Sequence, residues 1–227
     1  MSDPSTGRAP VLGGPRAEAA RLSTADLVER ARGLAVPGAR ALLGITGPPG
    51  AGKTTLSRAV VAALGPGLAT LVPMDGFHLA DPTLVAWGRR ARKGAPDTFD
   101  VGGYVSLLRR LVDQQEEHVH APEFDRALEA SLGSALPVRR DVPLVVTEGN
   151  YLLNAEGEWA QVGPLLDQSW YLQVPDDVRV DRLVRRREGY GTDHEEAVAW
   201  ATGSDQANAD VVARSRDRAD LVVTLVG

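Results

Sequence analysis

Gly47-Pro48-Pro49-Gly50-Ala51-Gly52-Lys53-Thr54 is the stretch on which the reading of this chain turns. It follows the pattern G-x-x-x-x-G-K-[ST] and is framed as that pattern requires. The apolar run Ala41–Thr46 (ALLGIT) before it reads as a buried strand, and Thr54–Leu64 after it reads as a helix closed by Gly65-Pro66-Gly67. Glycines let successive backbone N–H groups curl around an anion without Cβ clashes. The helix N-terminus adds unpaired donors and the positive end of a dipole. A lysine at position 53 can neutralise terminal phosphates, and a hydroxyl at Thr54, with Thr55 beside it, can reach a magnesium ion. Composition alone would produce such a match at roughly 0.002 per chain. Lysine is rare here: of 25 basic residues only Lys53 and Lys93 are lysines.

Outward from this loop the chain alternates strand and helix. Ala69–Met74 is a second apolar strand, with Pro73 placing its end at an edge or terminus. Pro143–Thr147, Ser169–Val174 and Leu221–Leu225 are further buried-type strands. Helices are expected from Ser23 or Thr24, from Tyr104 to Gln115, over Asp176–Arg187, and around Glu195–Ala201 and Asp205–Arg214. Strands separated by helices predict an α/β fold whose parallel sheet is covered on both faces. Residues 1–20, rich in Ser, Gly and Pro, are expected to be a disordered arm. Residues 21–227 are expected to form one domain, with a long insertion over 76–140 and an arginine-rich lid over 179–200.

A net charge of −5 over 227 residues gives no broad basic field for a phosphate backbone, so no nucleic-acid partner is expected. No run of 18 or more apolar residues marks a membrane span. No charged-then-apolar leader pattern opens the chain, and cytoplasm is the expected compartment. With no cysteine, thiolate metal sites and disulfides are excluded.

A phosphate loop serves many kinds of protein, and the other strand ends decide among them. No Asn/Thr-Lys-x-Asp motif for guanine exists, and the later signature strand ends Thr147-Glu148-Gly149-Asn150 rather than Asp-Glu. Asp75 follows a strand where an open parallel sheet presents its ligand crevice, and can take the proton of an attacking hydroxyl. The plain alternative is an Asp75-Gly76 turn. Glu148 at the next strand end suits a direct or water-mediated magnesium contact, or else complements a helix dipole. In the run Asp181–Gly189 an arginine can close over the transferring phosphate, with Arg187 first and Arg182 second. His118 and His120 read as surface histidines, Glu116-Glu117 as a solvated helix end, and Trp87, Trp159, Trp170 and Trp200 as packing residues. Arg89, Arg90, Arg92 and Lys93 are equally a solvated helix face or a cation set for a phosphorylated acceptor.

GITGPPGAGKTTL, VPMDGFH and VVTEGNYLL, in that order, resemble the superfamily of uridine kinase, pantothenate kinase and phosphoribulokinase, and within it bacterial nucleoside/nucleotide kinase family proteins of the fructose-transport kinase type. Three further stretches resemble bacterial pantothenate kinase: Lys93–Asp100, Arg187-Glu188-Gly189 and Arg216–Asp220. The resemblance covers about residues 40–225 and implies a P-loop NTPase fold with a five-stranded parallel core. It implies ATP and Mg²⁺ as cofactors, Asp75 as base, and the metal near Thr54 and Glu148, with Asp75 facing it. Arg187 then contacts the transferring phosphate and Arg218 lies near the adenine. His78, Lys93, Phe99, Asp100, Glu123, Asp125 and Arg126 become candidates for the acceptor pocket.

Two departures matter. Glu123-Phe124-Asp125-Arg126 lacks the aromatic and histidine pattern of uridine kinases, and the chain is shorter than pantothenate kinases. The expectation is a kinase acting on a hydroxyl of a small metabolite: a nucleoside, a pantothenate-like acid, or a sugar or sugar phosphate. The alternative is a regulatory ATP-binding protein with no metabolite acceptor. A homodimer is compatible with either.

Overall fold

The computed structural model describes residues 19–226, and of the arm expected over residues 1–20 all but the last two positions lie outside them. Ala20 already opens β1 (Ala20–Leu22), which leads into α1 (Thr24–Arg32). Ser23 caps that helix: its hydroxyl accepts from the Asp26 N–H, and the Asp26 carboxylate returns to the Ser23 N–H. β2 (Ala41–Thr46), α2 (Lys53–Leu64) and β3 (Ala69–Pro73) follow as the sequence predicts.

The insertion carries α3 (Asp81–Ala86), α4 (Val101–Val112) and an antiparallel hairpin, β4 (His118–Asp125) with β5 (Ala130–Arg139). Then come β6 (Leu144–Gly149), β7 (Gln168–Leu172), α5 (Asp176–Glu188), α6 (His194–Thr202), α7 (Ser204–Ala213) and β8 (Leu221–Leu225).

Among the described residues the main sheet has six strands in the order β1-β8-β7-β2-β6-β3, all neighbours parallel. This corrects the expectation of five. The added strand, β1, is three residues long and pairs with β8 from Ala20↔Val223 to Leu22↔Leu225. Too short to show a period, it forms only because β8 offers an open edge. At the other edge lies β3, where Pro73 is tolerated.

Alternation along β2 and β6 builds a core on each face. Leu42 and Val145 pack on one side with Tyr104, Leu108 and Trp159. Leu43, Ile45, Leu144 and Val146 pack on the other with Leu56, Val60 and Trp170. The α5–α6 pair has a small apolar cluster of its own, with Leu183 and Val184 of α5 against Ala197 and Ala201 of α6.

The hairpin was not predicted. β5 carries Gly133, Ser134 at φ 58 and Pro137, residues that spoil a local strand signal, and β4 has a register irregularity between Ala121 and Glu123. Only Val119, Ala121 and Val138 of the pair are buried, which is a short apolar signal. α4 begins three residues before its expected start because Asp100 caps it, accepting from the Gly103 N–H at 2.9 Å. Glu116 and Glu117 lie past its end, in the exposed turn into β4. Trp159 and Trp170 are buried, but Trp87 is 56% exposed with the Arg89 guanidinium 5.1 Å over its ring, correcting its reading as a packing residue.

Candidate active site

Parallel register sets the site. Glu148 stands level with Ile45 on one side and Pro73 on the other, two residues before Gly47 and Asp75 respectively. Three chain segments therefore turn out of the sheet side by side at its C-terminal edge. From β2 the chain enters the loop Gly47–Gly52, where Gly50 and Gly52 have φ of 83° and 93°. A Cβ on Gly50 would meet the Arg179 carbonyl oxygen at 2.8 Å, so only glycine lets α5 pack on the loop.

Lys53, the first residue of α2, is nearly buried and donates to the carbonyls of Gly47 (2.8 Å) and Pro48 (3.0 Å) and to Asn150 Oδ1 (2.7 Å). Burial pushes its ammonium down to about 8, although Glu148 and Asp75 favour the charged form. Thr54 donates its hydroxyl to Glu148 Oε1 at 3.1 Å, whereas Thr55 faces solvent. Glu148 is 4% exposed. Burial first, and the charge of Asp75 second, raise its carboxyl to about 7, against the pull of Lys53 and Thr54.

Asp75 lies in the short turn Met74–Phe77 directly after β3. A Cβ on Gly76 would meet the Pro122 carbonyl oxygen at 2.3 Å, so this glycine admits the hairpin next to the turn. That approach puts an Arg126 nitrogen 3.6 Å from Asp75 Oδ2, with His78 Nε2 4.0 Å from Oδ1. One cavity of about 110 Å³ joins Thr54, Glu148 and Asp75 to Glu123, Arg126 and Arg58.

Among the described residues no three His, Cys, Asp or Glu converge to hold a metal unaided. The His118 and His120 rings sit 6.3 Å apart with no third partner. The Thr54 hydroxyl and Glu148 carboxylate, with Asp75 across the cavity, form the sparse oxygen set that suits magnesium, which takes its other ligands from phosphates and water. Two carboxylates turned into one cavity, one of them already pushed toward neutrality, also fit a cation between them.

The arginines of α5 divide. Arg182 donates weakly to the Gly50 carbonyl at 3.4 Å. Arg187 lies 3.9 Å from the Asp205 carboxylate and over the Trp200 ring at 4.5 Å, which ties it to α7 and α6. Arg186, one helical turn beyond Arg182, is close enough to Lys53 to depress its ammonium. Crowding by protein and by Arg126 lowers Arg186 itself from the usual guanidinium value, though its surface is open to solvent. Sequence reasoning missed Arg186, Asn150 and Arg58. The first was visible only as Arg182 plus four, and Asn150 only as the residue after the Glu148-Gly149 strand end.

Of the acceptor-pocket candidates, the structure brings Glu123 and Arg126 to the cavity wall and leaves the rest behind it. His78 stacks on Phe99 at 4.1 Å, and burial pushes its imidazole down to about 4, so it is neutral. Phe99 continues into Tyr151 and Trp159 in the core. Asp100 caps α4, and Asp125 accepts from the Ala127 and Leu128 N–H groups in the hairpin turn. Lys93 is bound to Asp81 at 2.8 Å and to the Glu129 carbonyl at 2.9 Å. Arg90 also pairs with Asp81, and Arg89 and Arg92 with Asp97, so each member of this basic cluster has a carboxylate partner although the cations outnumber the carboxylates.

On the far side of Pro48 a second cavity, of about 170 Å³, lies between Tyr171, Gln173, Gln206 and Arg216. Arg218, expected near a base, sits exposed at the end of the turn Arg216–Arg218 and does not line it. Asp220 fastens that segment to β7 by accepting from the Ser169 N–H and hydroxyl.

No family model matches the chain. Over 193 residues it is 33% identical to an Escherichia coli protein described as uncharacterized protein YggC, spanning 83% of this chain and 79% of that one. Over 208 residues it is 30% identical to a Schizosaccharomyces pombe protein named "Putative uridine kinase", spanning 87% and 88%. Among solved structures, the "putative fructose transport system kinase" of Silicibacter sp. TM1040 has a TM-score of 0.80 at 39% identity, covering 88% of this chain and 98% of that one. With the loop, the strand-end carboxylates and these relatives in agreement, the chain belongs to the uridine-kinase-like superfamily of P-loop kinases.

Proposed function

We propose that this kinase transfers the γ-phosphoryl group of ATP, with Mg²⁺, to a hydroxyl of a small metabolite, and that Asp75 receives the hydroxyl proton. The observation that carries the reading is the single cavity on which Asp75 faces Thr54 and Glu148 at the mouth of the phosphate loop. Loop amides and Lys53 hold the phosphate tail, and the ammonium exchanges its carbonyl partners for phosphate oxygens. Asn150 keeps Lys53 aimed along the loop. Thr54 and Glu148 would hold Mg²⁺, which when bound neutralises charge on the β- and γ-phosphates.

Asp75 accepts a hydrogen bond from the acceptor hydroxyl and orients its lone pair at the γ-phosphorus. As the new P–O bond forms, the bond to the β-phosphate oxygen breaks, ADP departs, and the proton remains on Asp75. Arg126 steadies the Asp75 carboxylate, and Arg182 and Arg186 stand on the lid side, where equatorial oxygens gather charge.

Asp75→Asn should bind Mg·ADP within twofold of the wild type and lose about 10²–10⁴ in kcat. Unchanged turnover with a working acceptor would reject Asp75 as base. ATP consumption stimulated only by a protein partner, and by no hydroxyl compound, would favour the regulatory alternative.

A further inference from the structure

We infer that the acceptor is a small polyhydroxylated anion, a sugar acid or a sugar phosphate, whose oxyanion is held by Arg58. The inference rests on the kinase reading above and deepens it. Arg58 lies four residues after Thr54 on α2, on the same helical face and about 6 Å farther from the phosphate cradle. It lines the cavity that contains Asp75, yet among the described residues it has no hydrogen bond or ion pair. Arg58 is exposed, so water serves its five donors in the open cavity, and an oxyanion entering there can take that water's place on an always-charged guanidinium.

The other cations of the region are engaged. Lys93, Arg89, Arg90 and Arg92 are held by Asp81 and Asp97. Arg182 and Arg186 lie on the lid side, by the cradle. Arg126 faces the cavity too, held only by the 3.6 Å approach to Asp75. An uncharged acceptor would leave Arg58 facing it without an oxyanion, while Arg126 keeps the Asp75 carboxylate.

Glu123 supplies the second requirement. Its carboxylate lines the cavity with no partner among the described residues, and as an acceptor it fits a second hydroxyl on the substrate. The aromatic side chains argue against a nucleoside. Phe124 supplies the one ring on the cavity wall, while His78 and Phe99 stack on each other behind it. A flat base would have no opposed pair of rings to lie between.

The test pairs charged and neutral hydroxyl compounds: gluconate and glucose 6-phosphate against glucose, sorbitol and uridine, with Mg·ATP and product read by mass spectrometry. Phosphorylation of gluconate or glucose 6-phosphate, with at least a tenfold lower kcat/KM for glucose and sorbitol, is expected; which of the two works separates carboxylate from phosphate. Arg58→Gln should raise KM for that acceptor about 10–100-fold with kcat changed less than threefold, and Arg58→Lys should recover part of the loss.

Preference for uridine, glucose or sorbitol overturns the inference and leaves the kinase reading standing. So does Arg58→Gln that weakens Mg·ATP as much as the acceptor, since Arg58 would then serve the phosphates. If no hydroxyl compound raises ATP turnover, the kinase reading fails and takes this inference with it.

Discussion

On the proposed role of Glu148 as a magnesium ligand, nucleotide affinity should depend on pH by an amount that can be worked out. In the unliganded protein its carboxyl titrates at about 7, raised from 4.5 by burial and by Asp75. A metal ligand must be the carboxylate, which makes up about 9% of the population at pH 6 and about 91% at pH 8. Binding of Mg·ADP should therefore tighten about tenfold between these values through Glu148 alone, or about 1.4 kcal/mol. The nucleotide titrates too, so Glu148→Gln serves as the control. The ratio of variant to wild-type Kd, by titration calorimetry, should be about tenfold larger at pH 8 than at pH 6.

The same shift acts on stability with the opposite sign. Between pH 4.5 and 7 the folded carboxyl keeps a proton that the unfolded one has released, so the contribution of Glu148 to unliganded stability falls as pH rises, by at most about 3 kcal/mol. Lys53, depressed from 10.5 to about 8, binds fewer protons folded than unfolded across that range, so stability recovers as pH rises from 8 toward 10.5. His78, lowered from 6.5 to about 4, adds stability as pH rises toward 6.5 and offsets most of the Glu148 fall, so the readable change is on the alkaline side: urea unfolding without nucleotide or metal should be easier at pH 7.5 than at pH 9.5. A Kd ratio that is equal at pH 6 and 8, or no gain in stability from pH 7.5 to 9.5, would refute the reasoning.

Further outcomes follow from single contacts. Arg186→Gln should lower kcat about 10²-fold, while Arg187→Gln, cut from Asp205 and Trp200, should chiefly raise KM for ATP; steady-state kinetics at varied ATP separates them. Gly50→Ala should cost at least about 1–2 kcal/mol in urea unfolding, from φ 83° and the Arg179 carbonyl, and should abolish tight Mg·ADP binding by calorimetry. Tyr104→Phe removes a buried hydroxyl 2.6 Å from Thr147 Oγ1 and should cost about 1 kcal/mol by the same unfolding assay, with little change in kcat.

Much of the fold was legible because its signals are local. The ALLGIT run, the glycine loop and the helix behind it each follow from short-range sterics and hydrogen bonding. The hairpin and β1 were not, since β5 carries strand-breaking residues and β1 is three residues long. Among the acceptor candidates, Asp100 and Asp125 satisfy nearby N–H groups, a use that suits short carboxylates in any turn or cap and so hides their role.

By itself the sequence determined the anion cradle, the strand–helix alternation and the two carboxylates at strand ends, since those depend on residues within a turn or two of each other. Only the tertiary structure decided which side chains meet across it. Asn150 reaches Lys53 over 97 positions, and Arg126 reaches Asp75 through the hairpin that Gly76 admits. Those meetings are fixed by parallel register and packing between distant segments, which no local propensity encodes.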